Sequence, residues 1–211
     1  VMYRGDGGGG PREMFVANNT IDQPSNGRWC ISIGQAEGAI TLRNNILHTR
    51  HATRGSLEFK AAADVLVTDS DHNVLSKVTP DDGATILSLA AWKATGKDPN
   101  SFSATGAQLW LVDGSDYGLR PTSPAIDGGV VLASVVDDLQ RDTRPRGESH
   151  DIGCDEVPPP PPDTTPPAVP SGLAVTPGNA QISATWNANT EEDLDGYHVY
   201  RALASGGPFT R

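Results

Sequence analysis

The sequence is poor in the residues that build large cores or covalent frameworks. Of 211 residues only Cys30 and Cys154 are cysteine, too few and too far apart for a disulfide framework or a thiolate metal site. Whether the two pair stays open, because sequence does not fix the Cα separation a bridge needs. Aromatic residues make up 6% and hydrophobic residues 36%, which argues against a core of large interlocking side chains. Basic residues number 16 against 26 acidic ones, a formal net charge of -10. That balance argues against binding nucleic acid, whose backbone is held by Lys and Arg. It suits a soluble, calcium-tolerant surface. No run approaches the ~18 apolar residues of a membrane span, and no charged-then-apolar leader is present. The chain opens at Val1 in mid-pattern, so an upstream part carrying any leader is expected.

What the chain has in plenty is glycine, 23 residues, and proline, 17. These favour many turns and short strands over long helices. Three regions follow from composition: 1–157, a proline-rich linker at 158–170, and a new β-rich stretch at 171–211. The linker holds five consecutive prolines and reads as a polyproline II spacer, spanning about 40 Å at ~3.1 Å per residue.

The first region repeats. "MFVANNTI" returns as "AITLRNNIL", so that Asn18 and Asn19 are followed 26 positions later by Asn44 and Asn45. Met14 then aligns with Ile40, Val16 with Leu42 and Ile21 with Leu47. A second strand-like run, "CISIG", sets Ile31 and Ile33 the same 26 residues before Leu57 and Phe59 in "SLEFK". The third copy, "DVLVTDSDHNVL", is looser. Val65 and Val67 fall 25 residues after Ile40 and Leu42, whereas Asn73 falls 28 after Asn45. Either residues are inserted there, or Asp69 and Ser70 take the asparagine places. A period of this length, built of two or three short strands and no helix, predicts a parallel β-solenoid with strands about 4.8 Å apart.

Beyond the repeats, "SLAAWKATG" predicts a short helix capped by Ser88, with Leu89 and Trp92 on one face and Gly96 as its stop. "AQLWLV" predicts a strand. An irregular segment is expected to cap the open end of the stack.

At this point the residues carry a resemblance. "VANNTI", "LRNNIL" and "SDHNVL" resemble the last turns of right-handed parallel β-helix proteins of the pectate-lyase-like superfamily. "LWLVDGSDYGLRPTSPAIDGG" and "DLQRDTRPRGESHDIGCDE" are similar to the closing segment of bacterial extracellular members, with Gln140 and Arg141 in place of a frequent glycine and Cys154 in place of alanine. The resemblance covers about 12–157. It implies an all-β fold: a β-helix end with an irregular C-terminal cap. "PPAVPSGLAVTPGNAQISATWNANTEEDLDGYHVYRALASGGPFTR" is similar to the first half of a bacterial fibronectin type III domain, which implies a partial β-sandwich. Trp186 would be its buried aromatic, with "QISATWNA" and "YHVYRA" as strands. A full sandwich needs about seven strands in about 100 residues, so this half is expected to pack poorly alone.

The resemblance implies a secreted or cell-surface protein, a monomer, whose whole length binds or processes extracellular polysaccharide, this part being mainly structural. Two alternatives stand beside that reading: a lyase or glycoside hydrolase with its groove on upstream turns, and an adhesin without catalysis. Asn18, Asn19, Asn44, Asn45 and Asn73 are read as a structural ladder at a bend, where asparagine tolerates left-handed φ, with sugar contact as the other role. Lyases of this fold use an Arg or Lys base beside a neutralised uronate, often with calcium, which makes Arg43 and Lys60, with Glu58, the weak catalytic candidates. No compact carboxylate pair of the hydrolase kind appears in 12–75. His48 and His51 lack a third ligand. Asp69, Asp71 and His72, and Asp113 with Asp116, are weak calcium candidates that miss the twelve-residue loop spacing. The Arg and Asp charges of "RDTRPRGESHDIG" are expected to tie the closing loop to the last repeat. "RGD" at Arg4–Asp6 is too short to read as an adhesion site.

Overall fold

A computed structural model describes residues 2–4, 10–110, 117–158, 164–191, 194–204, 206–208 and 210. The fold is β-rich and divides into two units, Val1–Pro160 and Pro161–Arg211.

In the first unit short strands follow one another with a fixed order of partners. β1 (Met2–Arg4) precedes β2 (Met14–Ala17), β3 (Thr20–Gln23) and β4 (Ile31–Gly34). β5 (Ile40–Arg43), β6 (Ile46–Thr49) and β7 (Leu57–Phe59) repeat that trio. Each member of the second trio lies parallel to its counterpart: Met14 opposite Ile40, Thr20 opposite Ile46, Ile31 opposite Leu57. The 26-residue offset of the sequence is thus the register of three separate ladders. Alternate residues of these strands, Ile31, Ile33, Ile40, Leu42, Leu47, Leu57 and Phe59, meet in one buried cluster. Burying each is worth about 1.5–3 kcal/mol, and a one-residue slip would turn every one outward.

The third repeat departs from the expected one. α1 (Ala62–Leu66) occupies the "DVLV" run, and the strand is β8 (Thr68–Asp71). Ile40 faces Thr68 and Arg43 faces Asp71, an offset of 28, so residues are inserted and Asn73 takes the asparagine place. The reason is chemical. Asp64 closes the helical turn by accepting from the Ala61 N–H at 2.9 Å, and also accepts from Ala36 at 2.8 Å. Leu66 and Val67 are left exposed, while the inward places go to Thr68 and Ser70, which bond the Asp64 carbonyl and Asp98.

β9 (Lys77–Thr79) continues beside β7 in parallel, and β10 (Leu87–Ser88) turns back antiparallel on it, so the five-stranded sheet is mixed. α2 (Leu89–Lys93) follows, its first turn capped by Ser88 Oγ accepting from Ala91. Leu89 and Trp92 join the core, the Trp92 ring stacked 5.8 Å from Phe59. Residues 107–110 of "AQLWLV" do not form a strand. α3 (Gly106–Leu109) forms there because Gln108 Oε1 accepts from the Thr105 N–H and hydroxyl, and Trp110 then makes an isolated antiparallel bridge with Leu119.

The second unit holds β11 (Ser171–Gly178) and β12 (Gln181–Asn187), an antiparallel pair whose residues are exposed apart from half-buried Trp186. "YHVYRA" forms no strand: within it only Arg201 bridges, to Thr210. Trp186 meets Tyr197 edge-on at 5.3 Å, and Tyr200 is exposed. No helix among the described residues is long and apolar enough to cross a membrane.

Candidate functional site

The asparagines sit at the bends between β2 and β3, between β5 and β6, and between β8 and Val74, which bridges in parallel to Ile46 and Phe102. The two members of each pair do different things. Asn18 and Asn44 adopt left-handed φ of 52° and 53°, and His72 takes the same conformation in the third repeat. Past the reversal, Asn45 and Asn73 turn to the interior, while Asn19 stays exposed. Asn45 Oδ1 accepts from Asn19, Asn73 Oδ1 accepts from Asn45, and the Asn73 N–H reaches Ser101 Oγ. Asn45 and Asn73 are fully buried and their amides are occupied, with Asn45 Nδ2 also donating to the Val16 carbonyl. Neither offers a donor to a sugar in solution.

The first asparagines grip the closing segment, residues 119–157. Asn44 pairs with the backbone of Val130 at both ends, Nδ2 donating to its carbonyl at 2.8 Å and Oδ1 accepting from its N–H at 2.9 Å. Asn18 Nδ2 donates to the Asp151 carbonyl at 2.9 Å. The Gly153 N–H donates to Asn44 O and the Cys154 N–H to Thr20 Oγ1. Gly153, at φ 107°, passes so close that a Cβ would lie 2.7 Å from Ile46 and 2.8 Å from Thr20. A second apolar cluster, of Ile46, Val74, Leu109, Trp110, Leu119, Ala125 and Ile152, seals the segment against the ladders. The charges of "RDTRPRGESHDIG" therefore do not tie it to the last repeat. Among the described residues, the Asn18 and Asn44 amides of the first two repeats hold it. Arg144 works inside the segment, meeting Glu156 at 2.8 Å and the carbonyls of Asp151 and Gly153.

The catalytic candidates are not brought together. Arg43 lies on β5 and Lys60 follows β7, in different sheets. The Arg43 guanidinium is taken up by the Asp69 carboxylate at 2.5 Å and by the carbonyls of Asp69 and Leu42. Lys60 bridges Asp82 at 2.6 Å and Glu58 at 3.0 Å, and Glu58 accepts from Ser32 Oγ at 2.5 Å. Partial burial would lower the Lys60 pKa, but its hydrogen bonds to Asp82 and Glu58 outweigh that and hold it above the usual lysine value. An ammonium held that way is a poor proton acceptor. An arginine stays charged in any case.

The histidines diverge. His48 Nδ1 contacts Asp22 Oδ1 at 2.7 Å, with Arg50 on the other oxygen at 2.5 Å, and Trp110 lies edge-on 5.0 Å from its ring. His51 Nδ1 instead accepts from the backbone of Thr53 and Arg54. Asp71 is occupied by Asn100, which donates from its backbone and its side chain. Asp113 and Asp116 lie outside the described residues, as does Asp6 of "RGD". Among the described residues no three His, Cys, Asp or Glu converge on a point that would hold a metal. Cys30 and Cys154 do not form a disulfide with each other. Cys30 donates to the His48 carbonyl, and burial pushes it up to about 12.

Two features escaped the sequence reading. Asp98 is fully buried, accepting from Ser70, Ser101 and the Trp92 indole. The Asp22–His48 contact follows from the same 26-residue register, and aligning Asp22 with His48 would have found it. Compared with protein-family models, curated proteins and solved structures, the chain has no match.

Proposed function

We propose that residues 1–157 are the C-terminal turns and closing segment of a right-handed parallel β-helix of the pectate-lyase-like kind, part of a secreted or surface protein that binds or processes extracellular polysaccharide. In this reading the three ladders are successive turns, β10 and α2 cap their end, and residues 171–211 are part of a fibronectin type III-like sandwich. The observation that carries it is the common 26-residue register of three parallel strand pairs. A supporting one is the buried file Asn45–Asn73–Ser101, in which the Asn45 N–H donates to the Asn73 amide oxygen and the Asn73 N–H to the Ser101 hydroxyl.

The role of this chain is structural. Arg43 and Lys60 are each bound to carboxylates, on separate sheets. A lyase or hydrolase groove belongs to other turns of the same protein, and an adhesin would have none.

The test compares this chain with the whole reading frame. Both are assayed on a panel of uronate polymers for unsaturated ends, on the same panel for reducing ends, and for binding to immobilised polysaccharide. The reading expects this chain to cleave nothing and the whole protein to bind or cleave one of the polymers. Cleavage by this chain that is lost in Lys60→Ala or Arg43→Ala would overturn the structural role. A whole protein inert toward every polymer would overturn the polysaccharide reading.

A further inference from the structure

Residues 24–27 form the turn that leads from β3 toward β4, closed by the Gly27 N–H donating to the Pro24 carbonyl at 2.8 Å. Pro24, Ser25 and Asn26 are exposed. Of the ten asparagines in the sequence only Asn26 precedes a glycine. Its side chain has no hydrogen-bond partner among the described residues. The other asparagines of the first unit, Asn18, Asn19, Asn44, Asn45, Asn73 and Asn100, all donate from their side-chain nitrogen. In the second unit Asn187 and Asn189 do the same, and Asn179, which does not, precedes Ala180. A side chain at Gly27 would crowd the turn, since a Cβ there would lie 2.5 Å from Gln23 Oε1 and 3.0 Å from the Pro24 carbonyl oxygen. The Gly27 carbonyl accepts from Arg54 Nη1 at 3.2 Å. The glycine that this packing selects also leaves the backbone nitrogen after Asn26 unshielded by a β-carbon.

From this arrangement we infer that Asn26–Gly27 is a self-modification site, at which the chain converts its own asparagine to isoaspartate and aspartate, gated by the Pro24–Gly27 turn. The Gly27 nitrogen gives its proton to a solvent base and attacks Asn26 Cγ. The Cγ–Nδ2 bond breaks, and Nδ2 leaves as ammonia, taking a proton back from solvent. The product is a five-membered cyclic imide. Water then adds to one of its two carbonyl carbons and breaks one carbon–nitrogen bond. Addition at Cγ gives aspartate, and addition at the backbone carbon gives isoaspartate, with the chain running through the former side chain. Nothing is oxidised or reduced, and water is the only co-reactant. The gate is the Gly27 N–H bond to Pro24, which must open before the nitrogen can turn on Cγ. Either product sets a carboxylate beside exposed Arg28 and near Arg54. Isoaspartate also lengthens the backbone by one carbon inside a four-residue turn, so the turn does not close again as before.

The full chain is incubated in mildly alkaline buffer, beside a free peptide of residues 21–29. Samples are digested, and the amide-to-acid mass gain at each asparagine is followed by peptide mass spectrometry. Isoaspartate is counted separately, as the methyl groups an isoaspartyl carboxyl methyltransferase adds to the intact chain. Asn26 should convert first, about tenfold faster than any other asparagine, because an amide already hydrogen-bonded must be released before it can react. It should convert more slowly than in the free peptide, and urea should remove that difference by opening the turn. Asn26→Gln, a change at an exposed position, should abolish the methyl-accepting site, and Gly27→Ala should slow its appearance. Three results overturn the inference: Asn26 intact once the free peptide has converted, another asparagine converting as fast, or methyl acceptance that persists in Asn26→Gln. A folded chain that converts at the peptide's rate overturns the gate. The inference is independent of what the protein binds.

Discussion

Asn45 Oδ1 accepts both the backbone N–H of Asn19, at 3.0 Å, and its side-chain amide, at 3.1 Å. Asn73 repeats that double acceptance toward Asn45, at 2.9 and 3.0 Å. One amide thus closes the bend of its own repeat and caps the bend of the neighbouring one, and a buried bend needs such partners because its backbone cannot reach water.

Replacing Asn45 tests the weight of that link. Asn45→Ala removes partners from Asn19, Val16 and Asn73 in a fully buried place, and each stranded group costs about 1–3 kcal/mol. Allowing for relaxation, the expected loss is about 3 kcal/mol, read from urea unfolding followed by tryptophan fluorescence. Asn19→Ala, at an exposed position, should cost under about 1 kcal/mol. Equal losses at the two sites would contradict the ladder.

The Arg144–Glu156 pair sets up a double-mutant cycle. Both side chains are buried, at 1% and 0% exposure. Arg144→Met or Glu156→Leu alone leaves a buried charge without its partner, at a cost of about 3–5 kcal/mol. The double variant should lose much less than the sum, and additive losses would mean that the pair is not coupled.

Cys30 should be inert in the folded protein. Burial leads the causes that raise it from 9.0 to about 12. A thiol raised in this way contributes stability below about pH 9 that is lost as the pH climbs toward 12. At pH 8, iodoacetamide should modify Cys30 only through unfolding, and its rate should climb with urea in step with the loss of tryptophan signal. Rapid alkylation without urea would place Cys30 at the surface.

The second unit should exchange its amides early. Leu173, Val175 and Ile182 on its two strands are 58–73% exposed, and a lone two-stranded pair is marginal in water. Hydrogen exchange at 171–187 should be complete long before β5 and β6 exchange. Protection matching that of β5 would show a packed face.

Much of the first unit was legible because its strands are half apolar and strictly spaced. Met14, Val16, Ile21, Ile31 and Ile33 each lie opposite the residue 26 places on. The third repeat was not, because its inward places carry Thr68 and Ser70 rather than Ile and Leu, and the apolar run Val65–Val67, spaced like a strand, falls at the end of α1 instead. Residues 107–110 of "AQLWLV" failed for a similar reason: the Thr105–Gln108 cap decides them and their hydrophobic alternation does not. Sequence also named the right asparagines without separating them. Only the left-handed φ at Asn18 and Asn44 reveals that one of each pair faces the closing segment and the other the next repeat. The closing segment itself was read as a tie of charges, since nothing in a sequence shows Asn44 pairing with Val130 across 86 residues.

The parallel register is tested most directly by interstrand nuclear Overhauser effects in the isotope-labelled chain. The prediction is contacts joining Val16 to Leu42 and Ile21 to Leu47, in the same chain direction and without close Hα–Hα pairs between the two segments. Strong Hα–Hα effects running in reverse order, from Met14 toward Leu47 and from Ile21 toward Ile40, would make the repeats antiparallel hairpins and contradict the shared ladder.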